Sequence, residues 1–316
     1  MLEIADNFIG SVNVVTLGAT KSNGGTRTST VTVGGAGNVV YGGSPDQAGC
    51  RPVIAMDVLD CIPDDWPDVL VEPFRDVLAK PDSWAKKCVE EFGADLICLK
   101  FEGIHPDKGD KDASYAVKVT QQVLKAVGVP LVLWGCGNDE KDNYVMPKVS
   151  AAAKGENCLL GTVTENNYKS LTAIALADGH HLITEAPIDI NIAKQVNILV
   201  SDMGFPLEKI VTYQSTGALG YGIEYAYSIQ ERQRLAALGG DKMLAMPAIC
   251  DVGYEAWRVK EAFADIPSWG NVSDRGPMWE AATAICLLQA GVDIIRMRHP
   301  RAVATVKNFL NQIYTK

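Results

Sequence analysis

The stretch Pro52-Val53-Ile54-Ala55-Met56-Asp57-Val58 is apolar along almost its whole length, with one charge near its end. A strand wetted on one face alternates apolar and polar residues, so a run like this belongs to a strand buried on both faces. Seven similar runs follow, at residues 95–101, 130–135, 157–163, 181–186, 209–214, 246–252 and 293–298. The intervals between them are long enough for the crossover helix that parallel pairing requires. Eight such units in about 250 residues match the size of a closed barrel. The expected fold is therefore α/β, a (β/α)8 TIM barrel over residues 51–316, preceded by an N-terminal β-hairpin extension over residues 1–50. Such barrels carry their chemistry at the C-terminal ends of the strands, which shortens the roster of candidate site residues.

Helices are expected at residues 82–92, capped by Asp82, and at 111–127, 190–203, 222–238, 279–290 and 300–313. Glycine follows several of them, as it does at helix C-termini. In the extension, residues 12–17 and 29–33 are β-rich and flank a turn containing Asn23-Gly24-Gly25, the pattern of a hairpin. The hairpin either plugs the N-terminal mouth of the barrel or reaches a partner chain. Residues 34–49 are glycine-rich and read as a loop, and residues 60–82 form a long proline-containing connection after the first strand.

The net charge is −9, from 29 basic and 38 acidic residues, with no basic stripe, so nucleic acid is not an expected partner. No apolar run reaches the ~18 residues of a membrane span. The start, MLEIADNFIG, lacks the charged-then-apolar pattern of a signal peptide. A cytoplasmic protein is expected. None of the eight cysteines stands in CxxC or zinc-finger spacing, and none falls in the close clusters that iron–sulfur centres use. No iron–sulfur cluster and no metal site are expected in this chain. Motifs for a Ser-His-Asp nucleophile, HExxH zinc or a Walker loop are absent, and no catalytic residue is assigned.

Strand ends place Asp57, Lys100, Trp134, Thr162, Glu185, Gln214, Asp251, Arg296 and Arg298 at the reactive face, where mutual ion pairing is the simplest role for the charged ones. The strongest local pattern is Thr216-Gly217-Ala218-Leu219-Gly220-Tyr221-Gly222-Ile223-Glu224-Tyr225. Its glycines would let the backbone approach a ligand, or simply seat the next helix. Asp189 and Asn191 offer polar groups to a heterocycle, or cap the helix beginning at Ile190. Asp251 and Tyr254 follow the seventh strand, where an aromatic stacks on a flat ligand, packs under a loop or meets a partner.

Taken in order, Leu17-Gly18-Ala19-Thr20-Lys21, Asp65-Trp66-Pro67-Asp68-Val69-Leu70, Glu165-Asn166-Asn167-Tyr168-Lys169-Ser170, Gly220-Tyr221-Gly222-Ile223-Glu224-Tyr225 and Gly253-Tyr254-Glu255-Ala256-Trp257-Arg258 resemble the small subunit of the corrinoid/iron–sulfur protein. The archaeal counterpart is the delta subunit of the acetyl-CoA decarbonylase/synthase complex. The resemblance runs nearly end to end. It implies a methyl carrier of the reductive acetyl-CoA pathway, working as a heterodimer whose large subunit holds the cluster and the corrinoid. The other implied partners are a methyltetrahydrofolate methyltransferase and acetyl-CoA synthase. On this reading the corrinoid lies at the interface, facing Asp189, Asn191, Thr216, Gly217, Gly220, Tyr221, Gly222, Tyr225, Asp251 and Tyr254. Gln214-Ser215 departs from the Asp-Pro pair expected in relatives. The alternatives are a free-standing methyltetrahydrofolate:corrinoid methyltransferase, using Asp189 and Asn191 on the pterin, and a purely structural barrel.

Overall fold

The computed structural model describes residues 8–39 and 47–314. Residues 40–46, part of the expected loop, lie outside the described residues. Eight parallel strands form the main sheet: β3 (Val53–Leu59), β4 (Leu96–Lys100), β5 (Leu131–Trp134), β6 (Leu159–Val163), β7 (His181–Glu185), β8 (Ile210–Tyr213), β9 (Ile249–Asp251) and β10 (Ile294–Met297). Their order is β8-β7-β6-β5-β4-β3-β10-β9. The ring closes between its end strands through a bridge from Thr212 to Ala248 and a bond from Thr212 N–H to Pro247 O at 2.9 Å. This is the expected barrel, and each of the eight apolar runs supplies one strand.

Period-two alternation divides each strand between two cores. Val53, Ala55, Leu96, Cys98, Val132, Leu159, Ile183, Val211, Ile249 and Ile294 form the barrel interior. Their neighbours Ile54, Met56, Ile97, Leu99, Leu131, Leu133, Leu182, Ile210 and Ile295 pack against the surrounding helices. Both faces are dry, which is why the runs are continuously apolar.

The N-terminal strands β1 (Val14–Leu17) and β2 (Val31–Gly34) pair antiparallel as a separate two-stranded sheet. Val15, Leu17 and Val33 join the barrel-interior cluster, so the hairpin plugs the N-terminal mouth. Its turn is anchored by Arg27, which is 3% exposed. The Arg27 Nε–H donates to Glu156 Oε2 at 2.8 Å, and the guanidinium also donates to Val127 O and Leu124 O, each at 2.6 Å.

The helices are α1 (Asp68–Val71), α2 (Pro81–Glu90), α3 (Ala113–Ala126), α4 (Asp139–Ala152), α5 (Tyr168–Asp178), α6 (Ile190–Asp202), α7 (Ile223–Leu238), α8 (Val252–Ala256), α9 (Lys260–Phe263), α10 (Val272–Gln289) and α11 (Pro300–Tyr314). Two departures from expectation have clear causes. Asp82 lies inside the first turn of α2 and is not its cap, because Pro81 takes the first helical position that its fixed φ suits. Helix α10 starts at Val272 rather than at residue 279. Asn271 caps it, accepting from Ser273 N–H at 3.0 Å, and Pro277 is accommodated within the helix.

Candidate functional site

The last inward-facing residue of a strand buried in a barrel cannot be apolar if it faces a wet mouth. Here those positions are Asp57 on β3, Lys100 on β4, Trp134 on β5, Glu185 on β7, Tyr213 on β8, Asp251 on β9 and Arg296 on β10, with Arg298 just beyond. Above Asp57, the others line a cavity of about 550 Å3 together with residues of the loops, among them Glu102, His105, Lys108, Tyr254 and Arg258.

Buried charges there are matched pairwise. Asp57 is 1% exposed and accepts from Arg296 Nε–H at 3.0 Å and Arg298 Nε–H at 3.1 Å. Asp251 accepts from Arg296 Nη1–H at 2.6 Å. Burial alone would lower the pKa of Arg296, but Asp251 and Asp57 more than offset it and hold the guanidinium charged. Arg296 also lies 4.1 Å from the Trp134 ring centre, a cation–π contact that helps a desolvated charge. Lys100 Nζ–H donates to Gly135 O at 2.7 Å. Burial pushes the Glu185 carboxyl up, while the Thr162 hydroxyl that donates to it opposes the rise. Burial also drives Tyr213 well above its ordinary range, with Asp251 and Glu185 adding to the effect.

The loop after β5 shows why glycine is needed at a strand end. A Cβ on Gly135 would stand 2.5 Å from Asp142 Oδ2. That carboxylate accepts from Cys136 N–H at 2.8 Å and Gly137 N–H at 2.9 Å, folding the turn around it.

One further carboxylate fixes the end of β10 from outside. Glu280 on α10, fully buried, accepts from Arg298 N–H at 2.5 Å, His299 N–H at 3.0 Å and Trp257 Nε1–H at 2.7 Å. Burial raises its carboxyl from 4.5 to about 7, against those hydrogen bonds. Below the lower value both folded and unfolded chains carry the proton. Between the two values only the folded chain does, so the stability it contributes falls as pH rises and is gone above about 7. Glu280→Gln is expected to remove that fall. The check is the urea midpoint of both proteins at about pH 5 and about pH 8, where the wild-type midpoint should drop more than the variant's.

The site residues expected from sequence separate in the structure. Asp251 and Tyr254 line the cavity, and Thr216 touches it indirectly, its Oγ1 accepting from Asp251 N–H at 2.8 Å. Asp189 caps α6, accepting from Asn191 N–H at 2.8 Å and Ile192 N–H at 3.3 Å, and Asn191 is exposed. Neither is among the cavity-lining residues. Gly217 is pressed against the loop's own return, since a Cβ there would meet Gly222 O at 2.4 Å. Gly220 and Gly222 take left-handed backbone, at φ 77° and 87°, and Tyr221 and Tyr225 point outward, 54% and 64% exposed. Gln214 turns away from the mouth, its Nε2–H donating to Gln233 Oε1 on α7 at 2.5 Å. Strand β8 ends one residue earlier than the sequence suggests, which makes Tyr213 the inward residue. The wall formed by Glu102, His105 and Lys108 was missed because irregular loops carry no periodic signal.

The family profile of the CO dehydrogenase/acetyl-CoA synthase delta subunit matches residues 14–315. The acetyl-CoA decarbonylase/synthase complex subunit delta of Archaeoglobus fulgidus is 38% identical, over 98% of this chain and 70% of that protein. Its namesake in Methanocaldococcus jannaschii is 34% identical, over 98% of this chain and 76% of that protein. Among solved structures, a Xanthomonas albilineans dihydropteroate synthase with 4-aminobenzoic acid superposes with a TM-score of 0.56 at 14% identity, covering 83% of this chain and 92% of that one. A Coxiella burnetii dihydropteroate synthase in complex with pteroic acid gives 0.55 at 11%, covering 86% and 98%. At such identities the structural likeness shows the barrel fold alone. The profile match and the archaeal relatives show more: the chain belongs to the acetyl-CoA decarbonylase/synthase delta subunit family.

Proposed function

We propose that this chain is the barrel subunit of a cytoplasmic, methyl-transferring corrinoid protein, and that its C-terminal mouth faces a corrinoid held by a larger partner chain. The methyl group would come from methyltetrahydrofolate through a separate methyltransferase and go on to acetyl-CoA synthase. The observation that carries this reading is the pairing of the mouth's charges. Asp57, Asp251, Arg296 and Arg298 are committed to one another, so they form a braced polar surface, and the one thiol lining the cavity, Cys136, is pushed up to about 12 by burial. Such a surface suits covering a reactive group better than attacking a substrate.

The residues present fit that group. A cavity of about 550 Å3 is the size for a drug-like ligand, so the far larger macrocycle would lie against the mouth and not inside it. Tyr254 and Trp134 line the mouth with arginines stacked on their rings, and Asp251, tied to Thr216, links it to the glycine-rich loop at 216–225. Bound there, a corrinoid supplies a cobalt centre that accepts and releases a methyl group. This chain's own part is to exclude water from that face and to present fixed polar groups to it. The alternative methyltransferase reading depends on Asp189 and Asn191, but Asp189 Oδ1 caps α6 and neither residue lines the cavity.

The glycine-rich loop is tested in the copurified complex with Tyr221→Ala and Gly220→Ala. Methyl transfer is expected to fall about tenfold, equivalent to ~1.4 kcal/mol in the barrier, with cobalt content retained. Unchanged corrinoid content, transfer rate and reoxidation rate would remove the loop from the site.

A further inference from the structure

The barrel is least well hydrogen-bonded where it closes. Strands β8 and β9 share no ladder, only the bridge at Thr212–Ala248. Helix α7 covers this seam with an unusual face. Gln230, Gln233 and Arg234 are 2%, 3% and 6% exposed and point into the barrel wall at helical spacing. Gln233 acts as a staple, its Nε2–H donating to Thr212 Oγ1 at 2.7 Å and Met246 O at 3.0 Å, one on each side of the seam. Gln214 completes the staple by donating to Gln233 Oε1.

The neighbouring groups are not satisfied in the same way. Gln230 Nε2–H contacts Cys250 Sγ at 3.3 Å, while Gln230 Oε1 has no hydrogen-bond partner among the described residues. Arg234 Nη2–H donates to Gly291 O, while Arg234 Nη1 has none. Gln230 and Arg234 both line a small cavity beside Asp293. It offers about 10 Å3 to the centre of a water-sized sphere, which is the space one water requires. Left dry, a buried guanidinium N–H and a buried amide oxygen would each carry the full desolvation cost of an unmade hydrogen bond.

We propose that this cavity is a binding site for one water molecule, which accepts from Arg234 Nη1–H, donates to Gln230 Oε1 and thereby extends the side-chain staple along the seam. The chemistry of the lining selects water over an ion. Arg234 disfavours a cation, and Asp293, 3.6 Å from Arg234 Nη2, disfavours an anion.

A high-resolution crystal structure of the whole chain decides the matter. A single density peak within hydrogen-bonding distance of both atoms is expected. An empty cavity, a direct Gln230–Arg234 contact or a peak with ion-like coordination would overturn the proposal. Gln230→Met fills a similar volume without the acceptor. It should abolish the peak and speed hydrogen exchange at the Thr212 amide about five- to tenfold, the worth of roughly one net hydrogen bond, with β3–β4 amides unchanged. Persistence of the peak and of wild-type exchange in that variant would also overturn it, and the wild-type density is decisive even if the variant does not fold.

Discussion

Asp57→Ala is expected to destabilise the chain by about 3–5 kcal/mol, the usual consequence of removing one partner from a buried ion pair. The magnitude follows from what stays behind. Arg296 is 1% exposed and Arg298 4% exposed, and both donate to Asp57. Without it, Asp251 is the remaining ion-pair partner and reaches only Arg296, leaving Arg298 the longer-range field of carboxylates such as Glu102. Trp134 stacks on Arg296 but brings no negative charge. Asp57→Asn keeps the shape and one acceptor oxygen, so its cost should fall between alanine and wild type. The urea midpoint measures both. A loss below ~1 kcal/mol for alanine would mean that water reaches the pair and that the mouth is not the braced surface described above.

Arg27→Ala is expected to cost a similar ~3–5 kcal/mol, for two separable reasons. It leaves the Glu156 carboxylate, 7% exposed, with only the Thr26 backbone and hydroxyl as donors. It also uncovers the carbonyls at the end of α3, which Arg27 satisfies at Leu124 and Val127. Lysine in its place would restore the charge but not the fork that reaches several acceptors, so Arg27→Lys should recover only part of the loss. Because the hairpin plugs the barrel through Val15, Leu17 and Val33, hydrogen exchange in β1 and β2 should rise before that in β3–β10. Uniform acceleration of all strands would contradict a separately anchored plug.

The barrel was readable because burial on both faces leaves an unmistakable mark. All of β3 is buried, and its residues are apolar except Asp57, the one that emerges at the mouth. Even β9, only three residues long, lay within an apolar run. Helices were less readable where proline interrupts them. Pro277 concealed the first turns of α10, while α4, which contains Pro147, and α5, which contains no proline, were both left unassigned. At the site, identities were readable and directions were not. Aspartate and arginine at strand ends were expected to pair, and they do. A strand end misplaced by one residue, however, exchanged Tyr213 for Gln214, because adjacent side chains face opposite sides of the sheet. Asp189 looked equally able to hold a ligand or to cap a helix, and only the backbone around α6 shows which bonds its carboxylate makes.

The most direct measurement is the structure, with its cobalt content, of the assembly purified through this chain. The macrocycle is expected against the C-terminal ends of β3–β10, over Asp251 and Tyr254. A macrocycle at the hairpin end, or a purified assembly without cobalt, would contradict the assignment.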